Sequence, residues 1–424
     1  MVRRLGKLAR DVVVVGAGLS KFGSFPGKTS RDLFLEAYEE ALASVDKGIE
    51  TEQIGSLYLG NCSSDLFENQ THLGPLMADW VGLLPTPSVR VEGACGSSGL
   101  AFREGVMGIA SGMYDVVVVG GVEKMTYLSA DQVTDVLATA ADSIYEVNLA
   151  GFTFPGVFAI MASAYLNKYE ATVQHMMHVA IKNHQNGALN PKAQFSTTVP
   201  EMMESRRRRF QERGQVVPDW QDELDFLQDP SNNPMIAWPL RLFDCSPITD
   251  GASCLILASE ETALSFTERP VYVAATAHAT GGALATWGDL SSIPSAQVAA
   301  RQAYEMAGIT PEDIDVAEVH DCFTIAEIIA TEDLGFFKPG EGALAAGEGL
   351  TARNGPKPIN TSGGLKAKGH PVGATGAGQI VEIWKQLRGE ADKRQVTGRD
   401  LEFGLTHNIG GTGGTCVINI LKRG

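Results

Sequence analysis

The chain has 424 residues, 44% of them hydrophobic and 20% charged, with a formal net charge of −16. Such a length buries a sizeable core and leaves room for two or three domains. The acidic balance disfavours nucleic acid and anionic membrane surfaces, because phosphate binding needs clustered Lys and Arg, and no apolar run approaches membrane-spanning length.

The first ten residues carry four positive charges, Arg3, Arg4, Lys7 and Arg10, but the apolar run behind them, Val12–Val15, is broken by Gly16. That run reads as a first strand rather than a targeting segment, the closing Leu421-Lys-Arg-Gly424 is not a peroxisomal signal, and the cytosol is the expected compartment. Further β-branched runs of strand length follow at Val116–Val119, Cys254–Leu257, Val271–Ala274 and Val417–Ile420, with helix-period stretches between them. The pattern predicts an α/β protein.

Two segments repeat one theme. Ala37-Tyr38-Glu39 leads to Ile54-Gly-Ser-Leu-Tyr-Leu-Gly-Asn-Cys62, and Ala303-Tyr304-Glu305 leads to Ile314-Asp-Val-Ala-Glu-Val-His-Asp-Cys322. Each time a strand-like run enters a turn that ends in Cys, which predicts an internal duplication whose halves present one loop each at matching strand ends, where open α/β sheets place ligands. Residues 123–242 lack the strand rhythm and are richer in Met, Asn, Gln and charge; they are read as an inserted lobe covering the site.

Candidate chemistry lies in four places. Cys95, in Val91-Glu-Gly-Ala-Cys-Gly-Ser-Ser-Gly, precedes a helical stretch, where free N–H groups and the macrodipole favour a thiolate, and its small neighbours leave room for a substrate. His370 sits between Gly369 and Pro371 in Asn360-Thr-Ser-Gly-Gly-Leu-Lys-Ala-Lys-Gly-His-Pro-Val-Gly-Ala-Thr-Gly376, a loop position from which a ring can be aimed, and it is the natural base for Cys95. His320 and Cys322 lie two residues apart, on one side of an extended stretch. Leu405-Thr-His-Asn-Ile-Gly-Gly-Thr-Gly-Gly414 has the glycines that let backbone N–H groups approach a ligand oxygen.

Taken singly, each also has an ordinary structural reading: a buried thiol, a turn, core packing, a Gly-rich loop. The six cysteines, Cys62, Cys95, Cys245, Cys254, Cys322 and Cys416, contain no Cys-x-x-Cys pair and no His at metal-ligand spacing, so neither a zinc site nor a disulfide framework is expected. Val15-Gly-Ala-Gly-Leu-Ser-Lys21 imitates a dinucleotide fingerprint but has Lys21 where the third Gly belongs. Arg206-Arg-Arg-Arg209, beside Glu204 and Glu212, reads as a solvated helix face, with contact to the phosphates of a ligand as the functional alternative.

The four motifs in this order resemble the thiolase superfamily, from about Asp11 to Leu421. In thiolases Cys-x-Ser-[SG]-Gly carries the acyl-accepting Cys, which matches Cys95, and Gly-His-Pro-x-Gly-x-[ST]-Gly carries the activating His, which matches His370. Where ordinary thiolases have Asn-Glu-Ala-Phe and Cys-x-Gly-Gly-Gly, this chain has His320-Asp-Cys-Phe323 and Asn408-Ile-Gly-Gly-Thr412. That variant is similar to the sterol-carrier-protein-type thiolases and their archaeal and bacterial relatives, in which the acid/base thiol moves to the His-Asp-Cys-Phe loop. The resemblance implies that Cys322 takes the role Asn408 cannot perform, that Gly410 joins Cys95 in one oxyanion hole, and that Ser246 lies near the pantetheine arm.

For the fold, the resemblance implies two duplicated βαβαβαββ halves in a five-layered αβαβα core. Residues 1–122, completed by 243–265, form the N-terminal half, 123–242 the inserted loop domain and 266–424 the C-terminal half. It implies an acyltransferase that cleaves a 3-oxoacyl-CoA with coenzyme A (CoA), or runs the reverse Claisen condensation, with CoA as substrate and no tightly bound cofactor or metal. A homodimer or dimer of dimers is implied, and a small zinc-ribbon/OB-fold partner accompanies some relatives. The long stretch from Gln194 to Trp238 points to a specialised substrate, benzoylsuccinyl-CoA being one candidate. The rivals are a decarboxylating 3-ketoacyl synthase, a retro-aldol acyl-CoA lyase for which Cys95 would be dispensable, and a non-catalytic acyl-CoA or lipid carrier.

Overall fold

Four consecutive valines open the fold. In the computed structural model, which describes residues 6–424 and so leaves Arg3 and Arg4 outside the described residues, β1 (Val12–Leu19) is buried along its whole length. Val12 and Val14 pack into one apolar cluster and Val13 and Val15 into another, as expected of a strand covered on both faces.

The first half continues through α1 (Ser30–Ala43), β2 (Leu57–Gly60), α2 (Leu73–Trp80), β3 (Ser88–Val91), α3 (Ser97–Ala110) and β4 (Val116–Glu123). A helical segment follows, with α4 (Ala130–Ala138), α5 (Phe154–Lys168), α6 (Val173–Ala188) and α7 (Val199–Glu212), before β5 (Gly251–Ser259) returns to the sheet. The second half runs through β6 (Val271–Thr280), α8 (Pro294–Ala307), β7 (Val316–Glu318), α9 (Thr324–Asp333), α10 (Thr375–Arg388), β8 (Phe403–Gly410) and β9 (Thr415–Arg423). All five predicted strand runs fall inside observed strands.

The strand order is β3-β2-β4-β5-β1-β6-β9-β8-β7, and it reads alike from both ends. β2 is parallel to β4 as β7 is to β8; β4 is antiparallel to β5 as β8 is to β9; β5 is antiparallel to β1 as β9 is to β6. The half-sheets meet through two residue pairs, Val13 with Tyr272 and Val14 with Val271. The support that β3 gives β2 is reduced in the second half to one parallel bridge between Ala317 and Ile359. Ala37-Tyr38-Glu39 falls in α1 and Ala303-Tyr304-Glu305 in α8, so the repeated segments occupy equivalent helices.

Five layers result. Helices α3 and α10 lie between the half-sheets, where Phe102 and Trp384 share a core with Val14 and Leu421. Helices α1 and α2 cover the outer face of the first half-sheet, and α8 and α9 that of the second. The glycines of the false dinucleotide motif serve this packing: a Cβ on Gly18 would stand 2.1 Å from the Ala37 carbonyl oxygen of α1. Among the described residues, no single helix is long and apolar enough to cross a membrane.

Candidate active site

Cys95 is delivered by a strained turn. β3 ends at Val91, Ala94 adopts the left-handed region (φ 51°), and Cys95 stands just ahead of the first residues of α3. The pseudo-equivalent helix α10 begins close by: a Cβ on Gly376 would stand 2.4 Å from the Gly99 amide nitrogen, so glycine is required for the two helix starts to meet. The positive ends of both dipoles therefore face the same space.

His370 follows Gly369, whose φ of 118° only glycine adopts readily. The His370 backbone N–H donates to Thr249 Oγ1 (3.0 Å). Its ring Nδ1 lies 2.7 Å from Thr375 Oγ1, and the Thr375 hydroxyl already donates to the Pro371 carbonyl (3.1 Å). The threonine oxygen can then only accept, which assigns the imidazole proton to Nδ1 and leaves the Nε2 lone pair free.

His320 has the opposite tautomer. Its Nδ1 faces two donors, the Asn408 side-chain amide (3.2 Å) and the Ile409 backbone N–H (3.5 Å), so the proton resides on Nε2. The two rings stand edge to face with centroids 5.0 Å apart, and the ligating atoms of Cys95, His320 and His370 all lie within 4.8 Å of one another. One imidazole thus offers a base and the other a donor, the division of labour acid/base chemistry needs. Asn408 also donates to the Cys95 carbonyl (3.0 Å), so one amide braces the nucleophile loop and the donor imidazole.

Burial sets the resting charge. It pushes the Cys95 thiol up to about 12, against the backbone N–H groups of Gly411 and of Cys95 itself, and pushes His370 down to about 3, with Lys368 adding to the effect. His320 is likewise driven well below the ordinary imidazole value and the Cys322 thiol well above its own, burial being the main cause in both. The resting site is a neutral thiol beside a neutral base, with a second protonated thiol.

Cys95, His320, Cys322, His370 and Ser246 all line one cavity of about 170 Å³. Ser246 is tied in by its backbone N–H, which donates to the Cys322 carbonyl (2.9 Å). The remaining wall is mostly apolar, with Met125, Val133, Leu137, Phe154, Ile248 and Phe323 among its residues. Cys62, the counterpart of Cys322 in the first half, is buried behind Met125 and Val133. Gly411, rather than Gly410, lines the cavity; Gly410 is pressed against the Gly93 carbonyl, which a Cβ would approach to 2.0 Å.

Arg206–Arg209 lie on α7. Arg207 donates to the Trp220 carbonyl and Arg208 pairs with Glu204, while Arg206 and Arg209 border a hollow with Phe226 and Phe243. Sequence reasoning gave no role to Thr375, although it fills the [ST] position of the motif that carries His370. Thr375→Val is expected to lower turnover by about 10- to 100-fold while the melting temperature stays within a few degrees, because it removes the group that fixes the His370 tautomer at nearly constant shape. Steady-state kinetics alongside thermal melts check it.

Residues 12–261 match the thiolase N-terminal domain and residues 275–423 the thiolase C-terminal domain-like family. The chain belongs to the thiolase family and is an acyltransferase. It is 45% identical over 415 residues to an acetyl-CoA acetyltransferase of Methanothermobacter thermautotrophicus, covering 98% of this chain and 100% of that one. It is 30% identical to the benzoylsuccinyl-CoA thiolase subunit BbsB of Thauera aromatica, with 96% of each chain covered. Among solved structures it resembles an Ltp2–ChsH2(DUF35) aldolase, with a TM-score of 0.77 at 23% identity over 98% of this chain and 99% of that chain.

Proposed function

We propose that the protein cleaves a 3-oxoacyl-CoA with CoA, or runs the reverse Claisen condensation, through an acyl-Cys95 intermediate. The convergence of a free imidazole Nε2, a protonated imidazole Nε2 and the thiols of Cys95 and Cys322 on one cavity, which Cys245 also lines, carries this reading. In the cleavage direction His370 Nε2 takes the Cys95 proton as sulfur attacks the 3-keto carbon, and the backbone N–H groups of Cys95 and of the glycine loop at Gly410 and Gly411 stabilise the oxyanion. The C2–C3 bond breaks, the acyl group stays on sulfur, and the departing enolate receives a proton from Cys322. His320 Nε2–H donates to its thioester oxygen. CoA then attacks the acyl carbonyl as its thiol proton restores Cys322, and His370 returns its proton to the departing Cys95 sulfur. Asn408 braces the loop and takes no part in proton transfer.

CoA is substrate rather than resident cofactor in this scheme. Ser246, fastened to the Cys322 carbonyl, supports the assignment of that wall to the pantetheine arm. Residues 123–242 act as the covering domain between the halves 1–122 plus 243–265 and 266–424, and their Arg206 and Arg209 meet the CoA phosphates. Arg209→Glu is expected to raise the KM for CoA by about tenfold with kcat unchanged, the effect of losing one charge-assisted contact of about 1.4 kcal/mol; initial rates against CoA concentration check it, and an unchanged KM removes the assignment.

The acyl tail is uncharged. Among the described residues no Lys or Arg lines the cavity, whereas benzoylsuccinyl-CoA carries a free carboxylate that needs a cationic partner. A homodimer forms through the N-terminal half, where β3 ends the sheet and Val89 is half-exposed, and the protein works in the cytoplasm. The DUF35 component named in the structural relative supports a small zinc-ribbon/OB-fold partner here as well.

Intact mass after mixing with a panel of 3-oxoacyl-CoA thioesters tests the reading. A gain equal to the acyl group, reversed by added CoA, is the expected result; turnover with no adduct at any time would move the reading to retro-aldol chemistry.

A further inference from the structure

The residue between His320 and Cys322 has no role in the chemistry above, yet it is wholly enclosed. Asp321 has no exposed surface. Its Oδ1 accepts the Leu365 N–H (2.6 Å), and its Oδ2 accepts the Lys366 N–H (3.2 Å) and the Asn183 side-chain amide (2.7 Å). Leu365 and Lys366 belong to the π-helical turn Gly364–Lys368, which leads directly to Gly369 and His370. The fit leaves no slack: Gly364 has φ 59°, and a Cβ there would stand 2.2 Å from Asp321 Oδ2. One carboxylate therefore fastens the loop that carries Cys322 to the loop that carries His370.

The fastening extends outward. The Asn183 amide also donates to Glu327 Oε2 (2.9 Å) in α9, the helix that starts two residues after Cys322. Asn360 donates to the same oxygen (2.7 Å) and accepts the Val319 N–H (2.8 Å), and Lys182 forms an ion pair with Glu327. A buried carboxylate surrounded by N–H donors is costly to disturb, since each donor loses its partner without gaining water. We propose that Asp321 is a positioning residue that sets the Cys322 thiol against the His370 imidazole, so that the proton donor and the base act on one bound substrate. The proposal rests on the roles given above to Cys322 and His370.

Asp321→Asn replaces one acceptor oxygen by an NH2 group that faces at least one of the three N–H donors at constant shape, and Asn183→Ala is a milder cut in the same bracket. In both full-length variants, and in the wild type, the competent sites are counted by acetyl labelling of Cys95 from excess acetyl-CoA, read by intact mass. Exchange of the α-protons of acetyl-CoA with D2O, which reports Cys322, is then expressed per labelled site. Loss of positioning lowers the per-site rate by about 10- to 100-fold in Asp321→Asn and severalfold in Asn183→Ala. A merely structural role would lower the number of labelled sites and leave the rate per site at the wild-type value, and that result in either variant overturns the proposal. Should Asp321→Asn not fold, Asn183→Ala decides. Absence of exchange in the wild type itself refutes the role of Cys322 and this proposal with it, so the two failures are told apart by the wild-type trace.

Discussion

Cys95→Ala is expected to lower thiolysis by at least about 10⁴-fold, close to 5.5 kcal/mol in the barrier, and to leave no acyl adduct. Without the thiol the two half-reactions cannot be separated, and the acyl group would have to pass directly from a 3-oxoacyl-CoA to CoA, with both thioester arms reaching into one cavity of about 170 Å³. The loss should appear in kcat more than in KM, since neither the Ser246 wall nor the arginines of α7 are touched. Steady-state thiolysis and intact mass together check it. A retro-aldol lyase on the same fold would keep its turnover in this variant, because cleavage of a 3-hydroxyacyl-CoA needs only a base for the hydroxyl. A non-catalytic carrier would have no activity to lose and no adduct to form.

Much of this was legible in the chain before any coordinates. Val12–Val15, Val116–Val119, Cys254–Leu257 and Val417–Ile420 announced their strands because each is buried on both faces, where composition alone suffices. The duplication was legible through two Ala-Tyr-Glu segments that occupy equivalent helices. The third strand of the second half was not, because at Ile359 it is reduced to a single bridge with no run of residues to betray it. Three of the four motifs named Cys95, His320, Cys322 and His370, and these four residues line one cavity.

What holds those side chains in place was invisible. Asn408 braces Cys95 across 313 residues of sequence, and its amide serves His320 only because β8 runs beside β7. The protonation of each imidazole depends on such pairings, so the sequence could name His370 as the base for Cys95 but not which ring nitrogen carries the proton. Gly410 and Gly411 are equally permissive in sequence; the turn after β8 decides which one lines the cavity.

The sharper test of mechanism is Cys322→Ala, because it divides the two half-reactions. Acyl exchange between an acyl-CoA and CoA uses Cys95, His370 and the backbone N–H groups, and is expected to persist within about tenfold. Cleavage of the carbon–carbon bond and condensation should both fall by about 10³-fold, within the range assigned to a positioned general acid, and exchange of acetyl-CoA α-protons with D2O should disappear. The other groups facing the cavity cannot readily replace the thiol. The His320 Nε2–H is committed to the enolate oxygen, the proton on His370 Nε2 is the one it must return to Cys95, and the third cavity thiol, Cys245, donates to the Arg241 carbonyl (3.4 Å). Burial holds the Cys322 proton on sulfur until an enolate forms beside it, which suits a donor that must not ionise in the resting enzyme. Isotope-exchange kinetics for the acyl half and proton NMR in D2O for the other half read the two outcomes separately. Retained condensation with a 2-carboxylated acyl-CoA, together with lost thiolysis, would mark a decarboxylating synthase, since loss of CO2 generates the carbanion without a base. Retained α-proton exchange would instead move the proton transfer to His320 or His370 and leave Cys322 as part of the wall.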